Sequence, residues 1–126
     1  MPLLVPISVG ELLDKLSILE LKAAAIADQA RRANVLREQG ALEAVRRREV
    51  VATPELDALY AELRAVNRRL WQTEDSLRQC ERASRFDDGF VELARSVYRD
   101  NDRRARVKQR INELTQSDIV EEKTYL

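Results

Sequence analysis

The side chains best suited to chemistry interrupt two helical stripes that are otherwise largely apolar. One stripe steps by three or four residues from Leu63 to Leu77, and the other steps in the same way from Val97 to Ile111. Six polar side chains share inward-facing positions on these stripes: Asn67, Glu74, Tyr98, Asn101, Arg104 and Lys108. If the two helices fold back on each other, the six groups fall within a slab of roughly 10–15 Å, or two to three helical turns.

The slab has two main interpretations. Buried acids, amides and arginines must satisfy one another, so the slab could be a structural layer that fixes helix register, as polar core residues do in coiled coils. The functional alternative is a pocket between helices, in which Arg104 and Lys108 bind an anion and Glu74 or Tyr98 handles a proton. In a third interpretation the helices are rotated and all six groups face water.

Positive charge is concentrated beside the slab, although the whole chain is neutral, with 22 basic and 22 acidic residues. The basic residues are Arg64, Arg68, Arg69, Arg103, Arg104, Arg106, Lys108 and Arg110. Such a group binds phosphorylated small molecules through charge-assisted hydrogen bonds. Nucleic acid is a weaker expectation, because no aromatic side chains alternate with the basic ones. A solvated face crossed by pairs such as Asp100–Arg104 accounts for the same residues without a ligand.

The composition excludes several kinds of active site. The chain has no histidine and one cysteine, Cys80, so it lacks the usual zinc ligands and the Ser-His and Cys-His nucleophile pairs. Carboxylate metal sites in helical bundles need repeated Glu-x-x-Glu or Glu-x-x-His pairs, whereas Glu11-x-x-Asp14 stands alone. We therefore predict no catalytic residues, no metal site and no cofactor.

Long helices must position these groups. The chain is 35% charged and 5% aromatic, with three glycines and three prolines, a composition typical of long helices or coiled coils. Three helix starts are marked by residues that can cap free backbone N–H groups: Ser8, Thr53 and Asp87. Glu11, three residues after Ser8, completes a capping-box pattern at the first start.

The predicted boundaries divide a single domain, residues 1–126, into five parts. They are an apolar arm (1–7), helix one (8–49, bent or broken near Gly40), helix two (54–84), helix three (88–115) and a tail (116–126). Because a short connection joins helices two and three, they form an antiparallel hairpin with helix one packed along it. The predicted fold class is therefore all-α, an antiparallel bundle of three long helices.

Apolar surface near the N-terminus predicts self-association. The apolar residues between Leu12 and Ile26 cover a wider arc than one partner helix would bury, so they sit between two helices or face a second subunit. No apolar run is long enough to span a membrane, and the proline-broken N-terminus lacks the features of a signal peptide. We expect a cytoplasmic homo-oligomer, most simply a homodimer, and the same surface is compatible with a different protein partner.

Four stretches together resemble a known family. They are residues 6–22 (PISVGELLDKLSILELK), 67–75 (NRRLWQTED), 86–102 (FDDGFVELARSVYRDND) and 121–125 (EEKTY). In combination they are similar to short helical bacterial proteins grouped as a domain of unknown function. The resemblance implies genes near those for glycosyltransferases and surface polysaccharides, and it implies no activity.

Two functions follow as expectations. The first is a non-catalytic, self-associating interaction or accessory protein, which the resemblance links to bacterial surface-carbohydrate synthesis. The alternative is a binding protein or enzyme that holds a phosphorylated or dianionic ligand in the polar slab between helices.

Overall fold

The computed structural model describes residues 1–124, so residues 125 and 126 of the predicted tail lie outside the described residues. Four α-helices and no strands make up the regular structure of that part of the chain. They are α1 (Val9–Ala25), α2 (Gln29–Glu49), α3 (Pro54–Arg82) and α4 (Asp88–Thr115). The prediction of an all-α fold is confirmed.

Each helix begins at a side chain that accepts a hydrogen bond from a free backbone N–H. The four N-cap residues are Ser8, Asp28, Thr53 and Asp87, and each accepts from the N–H three residues later. Three of these starts match the sequence-based prediction. The start at Asp28 has no counterpart in it.

The prediction of a single first helix, bent or broken near Gly40, is wrong. The chain leaves helical geometry at 26–28, where Ile26 is extended (φ −80°, ψ 119°) and Asp28 caps a new helix. Gly40 lies inside α2, and a Cβ built on it would meet no atom within 4 Å. A solvent-facing glycine reduces the stability of a helix by about 1 kcal/mol. A break at Gly40 would instead require nucleation of another helix after it. The described part of the chain therefore contains four helices rather than the predicted three.

The last two helices, α3 and α4, form the expected antiparallel hairpin. Glu62 of α3 pairs with Arg110 of α4 at 3.3 Å. Further along, Arg69 pairs with Asp100 at 3.5 Å. Both pairs agree with the register expected when the helices fold back at the connection between them.

The core lies in the half of the hairpin that is far from this connection. Its buried members come from α1, α3 and α4 and are Leu12, Leu13, Leu16, Leu56, Tyr60, Leu63, Val107 and Ile111. Leu42 and Val45 of α2 are partly buried against the same cluster. Four leucines of the α1 arc are buried between helices of the same chain, which is one of the two predicted alternatives: Leu12, Leu13, Leu16 and Leu19.

The half of the hairpin near the connection is packed less completely. At 1.5 Å per residue α1 is about 25 Å long and α3 about 43 Å, so α1 cannot cover both halves. Phe90, Leu93 and Val97 of α4 are only partly buried. Cys80 of α3 is buried there. The inner stripe predicted for α4 is therefore fully buried only around Ile111.

Candidate functional site

A buried carboxylate, that of Asp14, lies where α1 meets both helices of the hairpin. Its side chain accepts a 2.8 Å hydrogen bond from Asn67 Nδ2. Lys108 Nζ lies 3.5 Å and Arg104 Nε 4.0 Å from its other oxygen. Asp14 is 4% exposed. One hydrogen bond and two cations therefore offset the loss of water around this charge.

Ser17 completes the interior of this arrangement. Asn67 Nδ2 also donates to Ser17 Oγ at 2.6 Å, and the Ser17 hydroxyl donates to the backbone carbonyl of Asp14 at 2.9 Å. Helix geometry places residues three apart on one face, so a single amide of α3 reaches both side chains of α1. The Asp14 cluster is defined here as Glu11, Asp14, Ser17, Asn67, Arg104 and Lys108.

Glu11 closes the cluster on the side of α4. Its carboxylate accepts from Lys108 Nζ at 2.6 Å, so Lys108 bridges two carboxylates. The predicted capping box is half present, because Ser8 Oγ accepts from the Glu11 N–H while the Glu11 carboxylate pairs with Lys108. The two acidic and two basic side chains of the cluster balance in charge.

The Asp14 cluster is a satisfied network. Within residues 1–124, no buried side-chain nitrogen or oxygen lacks a hydrogen-bond partner. Both carboxylates of the cluster are already paired with basic side chains at short range. What this arrangement does best is to hold α1 in one register on the hairpin.

Three of the six predicted site residues meet in the cluster: Asn67, Arg104 and Lys108. Asn101 is partly buried on α4 outside the network.

Glu74 and Tyr98 are not buried and do not join the Asp14 cluster, so the six predicted side chains do not form one slab. Glu74 is exposed and lines a shallow groove near the hairpin connection with Leu77 and Phe90. Tyr98 is 55% exposed, and a hydrogen bond from Arg95 lowers the pKa of its phenol. The reason is that α1 covers the other half of the hairpin, so these inner positions stay open to water.

Sequence reasoning missed Asp14 and Ser17, the two α1 members of the interior. Glu11-x-x-Asp14 has the spacing of a metal-ligand pair, but Asp14 also lies among the leucines of the apolar arc. The available signal was the width of the apolar arc, because an arc that wide also buries the polar side chains between its leucines. A buried aspartate needs a partner on another helix, and Asn67 is that partner.

Gly10 allows α1 to approach α4 closely. Its N–H donates to Asn112 Oδ1 at 2.7 Å. A Cβ built on Gly10 would lie 2.8 Å from the carbonyl oxygen of Lys108 and 2.9 Å from Asn112 Oδ1. Only glycine fits this contact without movement of α4.

The beginning of the predicted tail folds back over the first turn of α1. Ser117 Oγ accepts from the Val9 N–H at 3.2 Å. Ser8 Oγ donates to Glu121 at 2.8 Å. Together with the contacts of Gly10 and Glu11, these bonds satisfy the first N–H groups of α1 inside the chain. That helix end is therefore not free to bind an anion.

Tyr60 forms a second polar contact, between α3 and the first two helices. Its hydroxyl donates to Glu20 Oε1 at 3.1 Å. The guanidinium carbons of Arg46 and Arg64 lie 4.6 and 4.1 Å from the centre of its ring. Burial, reinforced by the charge of Glu20, raises the pKa of Tyr60 to about 12. The phenol therefore acts as a hydrogen-bond donor at neutral pH.

Across residues 1–124, no three or more His, Cys, Asp or Glu side chains gather as a group that could hold a metal ion. None of the four described helices combines the length and the apolar character needed to cross a membrane.

Comparison with protein-family models gives the relationship of the chain. The model described as "Family of unknown function (DUF6165)" matches residues 3–126. The chain belongs to this family. This agrees with the resemblance to a family of unknown function carried by the four stretches above. Searches of curated proteins and of solved structures found no match.

Proposed function

We propose that this chain is a non-catalytic helical interaction protein that self-associates, most simply as a homodimer, through its N-terminal arm (residues 1–7). The observation that carries the proposal is the exposure of the arm's apolar side chains. Leu3 is 94%, Leu4 91% and Val5 69% exposed. A contiguous apolar segment left in water marks an interaction site.

A matching apolar groove lies beside the arm. It has a volume of about 420 Å³ and lies between α1 and α2. Leu12, Leu42, Val45 and Val50 line it, and the arm forms one edge. Extended apolar segments bind in grooves of this kind. The sequence of the arm, with Pro2 and Pro6 and no charged side chain, favours such an extended segment.

A second copy of the chain is the occupant we propose. Every copy carries both the arm and the groove, so a two-fold arrangement fills two grooves with two arms. Burying a large apolar side chain contributes ~1.5–3 kcal/mol. With Met1, Leu3, Leu4 and Val5 from each arm, the gross gain is roughly 12–24 kcal/mol. That is comparable with or larger than the ~4–15 kcal/mol that association costs.

The Asp14 cluster supports the non-catalytic part of the proposal. Its acids and bases neutralise one another, and its polar atoms are already hydrogen-bonded. A substrate would have to displace these contacts, whereas a structural layer needs only to keep them.

A narrower role rests on the resemblance alone. In this proposed role the assembly acts in the bacterial cytoplasm as an accessory subunit for the synthesis of surface carbohydrate. Deleting the gene and measuring surface polysaccharide tests this role separately from self-association. Unchanged polysaccharide would contradict it.

Sedimentation velocity over a wide concentration range tests self-association. We expect the wild-type chain to form a dimer and the double variant Leu3→Ser, Leu4→Ser to be monomeric. Circular dichroism should show the same helix content in both, since these exposed side chains contribute little to the fold. Val91→Ser is the matched control, because Val91 is also apolar and 50% exposed but lies on α4. A monomeric wild-type chain would overturn the proposal, and so would a dimer lost only in Val91→Ser.

A further inference from the structure

An open groove between α3 and α4 is lined on both sides by arginines. Its volume is about 440 Å³. Arg69 lines it from α3, and Arg103, Arg106 and Arg110 line it from α4. The three α4 residues are three or four positions apart, so they project from one face of the helix. None of these four arginines belongs to the Asp14 cluster.

The positive charge in this groove is only partly neutralised. Arg69 and Arg103 share one carboxylate, that of Asp100, at 3.5 and 3.8 Å. These distances are longer than a good hydrogen bond. One acceptor therefore serves two guanidinium groups whose donors remain available.

The other two arginines are still less constrained. Arg110 pairs with Glu62 at 3.3 Å, but both side chains are more than half exposed, and such pairs contribute little. Arg106 makes no ion pair within the described part of the chain and is exposed. With Asp100 and Glu62 as the only carboxylates paired to them among residues 1–124, the four arginines leave an excess of two positive charges.

The floor of the groove is apolar. Val66 and Val107 are each 2% exposed, and Ala65 lines the groove beside them. Such a floor carries no side-chain acceptor to compete for the guanidinium donors. It also replaces water on one side of a bound ligand, which strengthens charge interactions.

We infer that this arginine groove binds a small phosphorylated anion carrying at least two negative charges, a phosphomonoester or pyrophosphate. Guanidinium groups match phosphate oxygens with paired hydrogen bonds, and several of them can surround one phosphate. The groove volume lies in the range of small-ligand sites, roughly 300–1,000 Å³. Two negative charges on the ligand would balance the two excess positive charges of the arginines.

The ends of the groove favour a small anion over a nucleic-acid strand. Glu62 lines one end of the groove. At the other end Asp100 pairs with Arg69 and Arg103, so a long phosphate backbone would meet negative charge at both ends. Among residues 1–124 no aromatic side chain lines the groove, whereas single-strand binders stack bases on aromatic rings.

Isothermal titration calorimetry with inorganic pyrophosphate at low salt tests this inference. We expect saturable binding at one site per chain that weakens as salt is added. The double variant Arg103→Gln, Arg106→Gln should lose affinity by about tenfold or more. Arg47→Gln is the matched control, since Arg47 is an exposed arginine on α2, and it should bind like the wild type.

A gain of affinity provides a test that misfolding cannot imitate. Glu62→Gln removes a carboxylate from the rim of the groove and should tighten pyrophosphate binding by about twofold to fivefold. Absence of binding, or equal affinity in all these variants, would overturn the inference.

Two other results would also overturn it, and each identifies a different occupant. A single-stranded oligonucleotide that binds and is not displaced by pyrophosphate would indicate nucleic acid. Sedimentation that changes in Arg103→Gln, Arg106→Gln would indicate contact with another copy. The arm variant Leu3→Ser, Leu4→Ser should bind pyrophosphate normally, so failure of self-association and failure of the anion site are distinguishable.

Discussion

The side-chain amide of Asn67 donates a 2.8 Å hydrogen bond to the buried carboxylate of Asp14, and the same nitrogen reaches Ser17. This contact joins α1 to α3 at a point surrounded by leucine. Apolar contacts alone allow a helix to slide by a turn, whereas a displaced Asp14 would be buried without its partner. The pair therefore selects one position of α1 on the hairpin.

Removing the buried carboxylate should destabilise the fold. In Asp14→Ala, Asn67 loses an acceptor and Lys108 and Arg104 lose a counter-charge, so we expect a loss of about 2–4 kcal/mol in the free energy of unfolding. Urea denaturation followed by circular dichroism measures it. Asp75→Ala, at an exposed position of α3, should change the stability by less than about 0.5 kcal/mol. Equal stabilities of the two variants would contradict the structural role of the cluster.

The glycines of α1 and α2 should respond in opposite directions to the same substitution. Gly10→Ala forces a Cβ to 2.8 Å from a backbone carbonyl of α4 and should cost about 1–3 kcal/mol. Gly40→Ala meets open space and should stabilise α2 by about 0.5–1 kcal/mol. Thermal unfolding of the two variants measures whether each substitution raises or lowers the stability. A stabilising Gly10→Ala would mean that α1 and α4 are not in close contact.

Tyr60 should make stability fall at high pH. Its folded-state pKa of about 12 lies above the ordinary 10.0, so the folded chain holds this proton more tightly than the unfolded chain. This tighter binding contributes fully to the free energy of unfolding below pH 10. The contribution decreases by about 2 kcal/mol as the pH rises from 10 to 12. Comparing wild type with Tyr60→Phe by urea denaturation isolates it from other titrating groups.

The exposed Tyr98 provides the control for this pH dependence. A hydrogen bond from Arg95 lowers the pKa of Tyr98, so Tyr98→Phe should remove the early part of the absorbance change as tyrosines ionise. Tyr60→Phe should remove the latest part. The opposite assignment would be inconsistent with a buried Tyr60 bonded to Glu20.

Cys80 should react slowly while the hairpin is folded. Its side chain is 1% exposed, and thiol reagents reach buried sulfur only through opening of the surrounding structure. We expect the reaction with Ellman's reagent to be much slower in buffer than in denaturant. Ser84→Cys in a Cys80→Ala background places a thiol at an exposed position nearby and should react without delay. Equal rates would show that this half of the hairpin is open.

Much of the fold is readable from the sequence because capping side chains act locally. Ser8, Thr53 and Asp87 mark helix starts wherever the rest of the chain lies. The break at Asp28 is difficult to predict because no strong apolar stripe follows it and Gly40 is the more conspicuous helix breaker. A solvent-facing glycine indicates a helix break less strongly than a residue that can cap the start of a new helix.

The polar cluster could be predicted only in part because it depends on where α1 lies. Asn67, Arg104 and Lys108 follow from the register of the hairpin alone. Glu74 and Tyr98 share that register, but whether they are buried depends on how far a third helix extends. Asp14 is specified by tertiary contacts, since a carboxylate on a short helix is ordinarily solvated.

The separate second helix has a consequence for motion. Among the described helices, α2 comes close along its backbone to α1 alone, whereas α1 also packs on α3 and α4. Of the α2 side chains only Val35 is fully buried. Amide hydrogens of α2 should therefore exchange with solvent through a local opening that leaves the hairpin intact, at a lower free energy than global unfolding. The helix that forms one wall of the proposed docking groove is thus the part of the bundle that can move to admit an occupant.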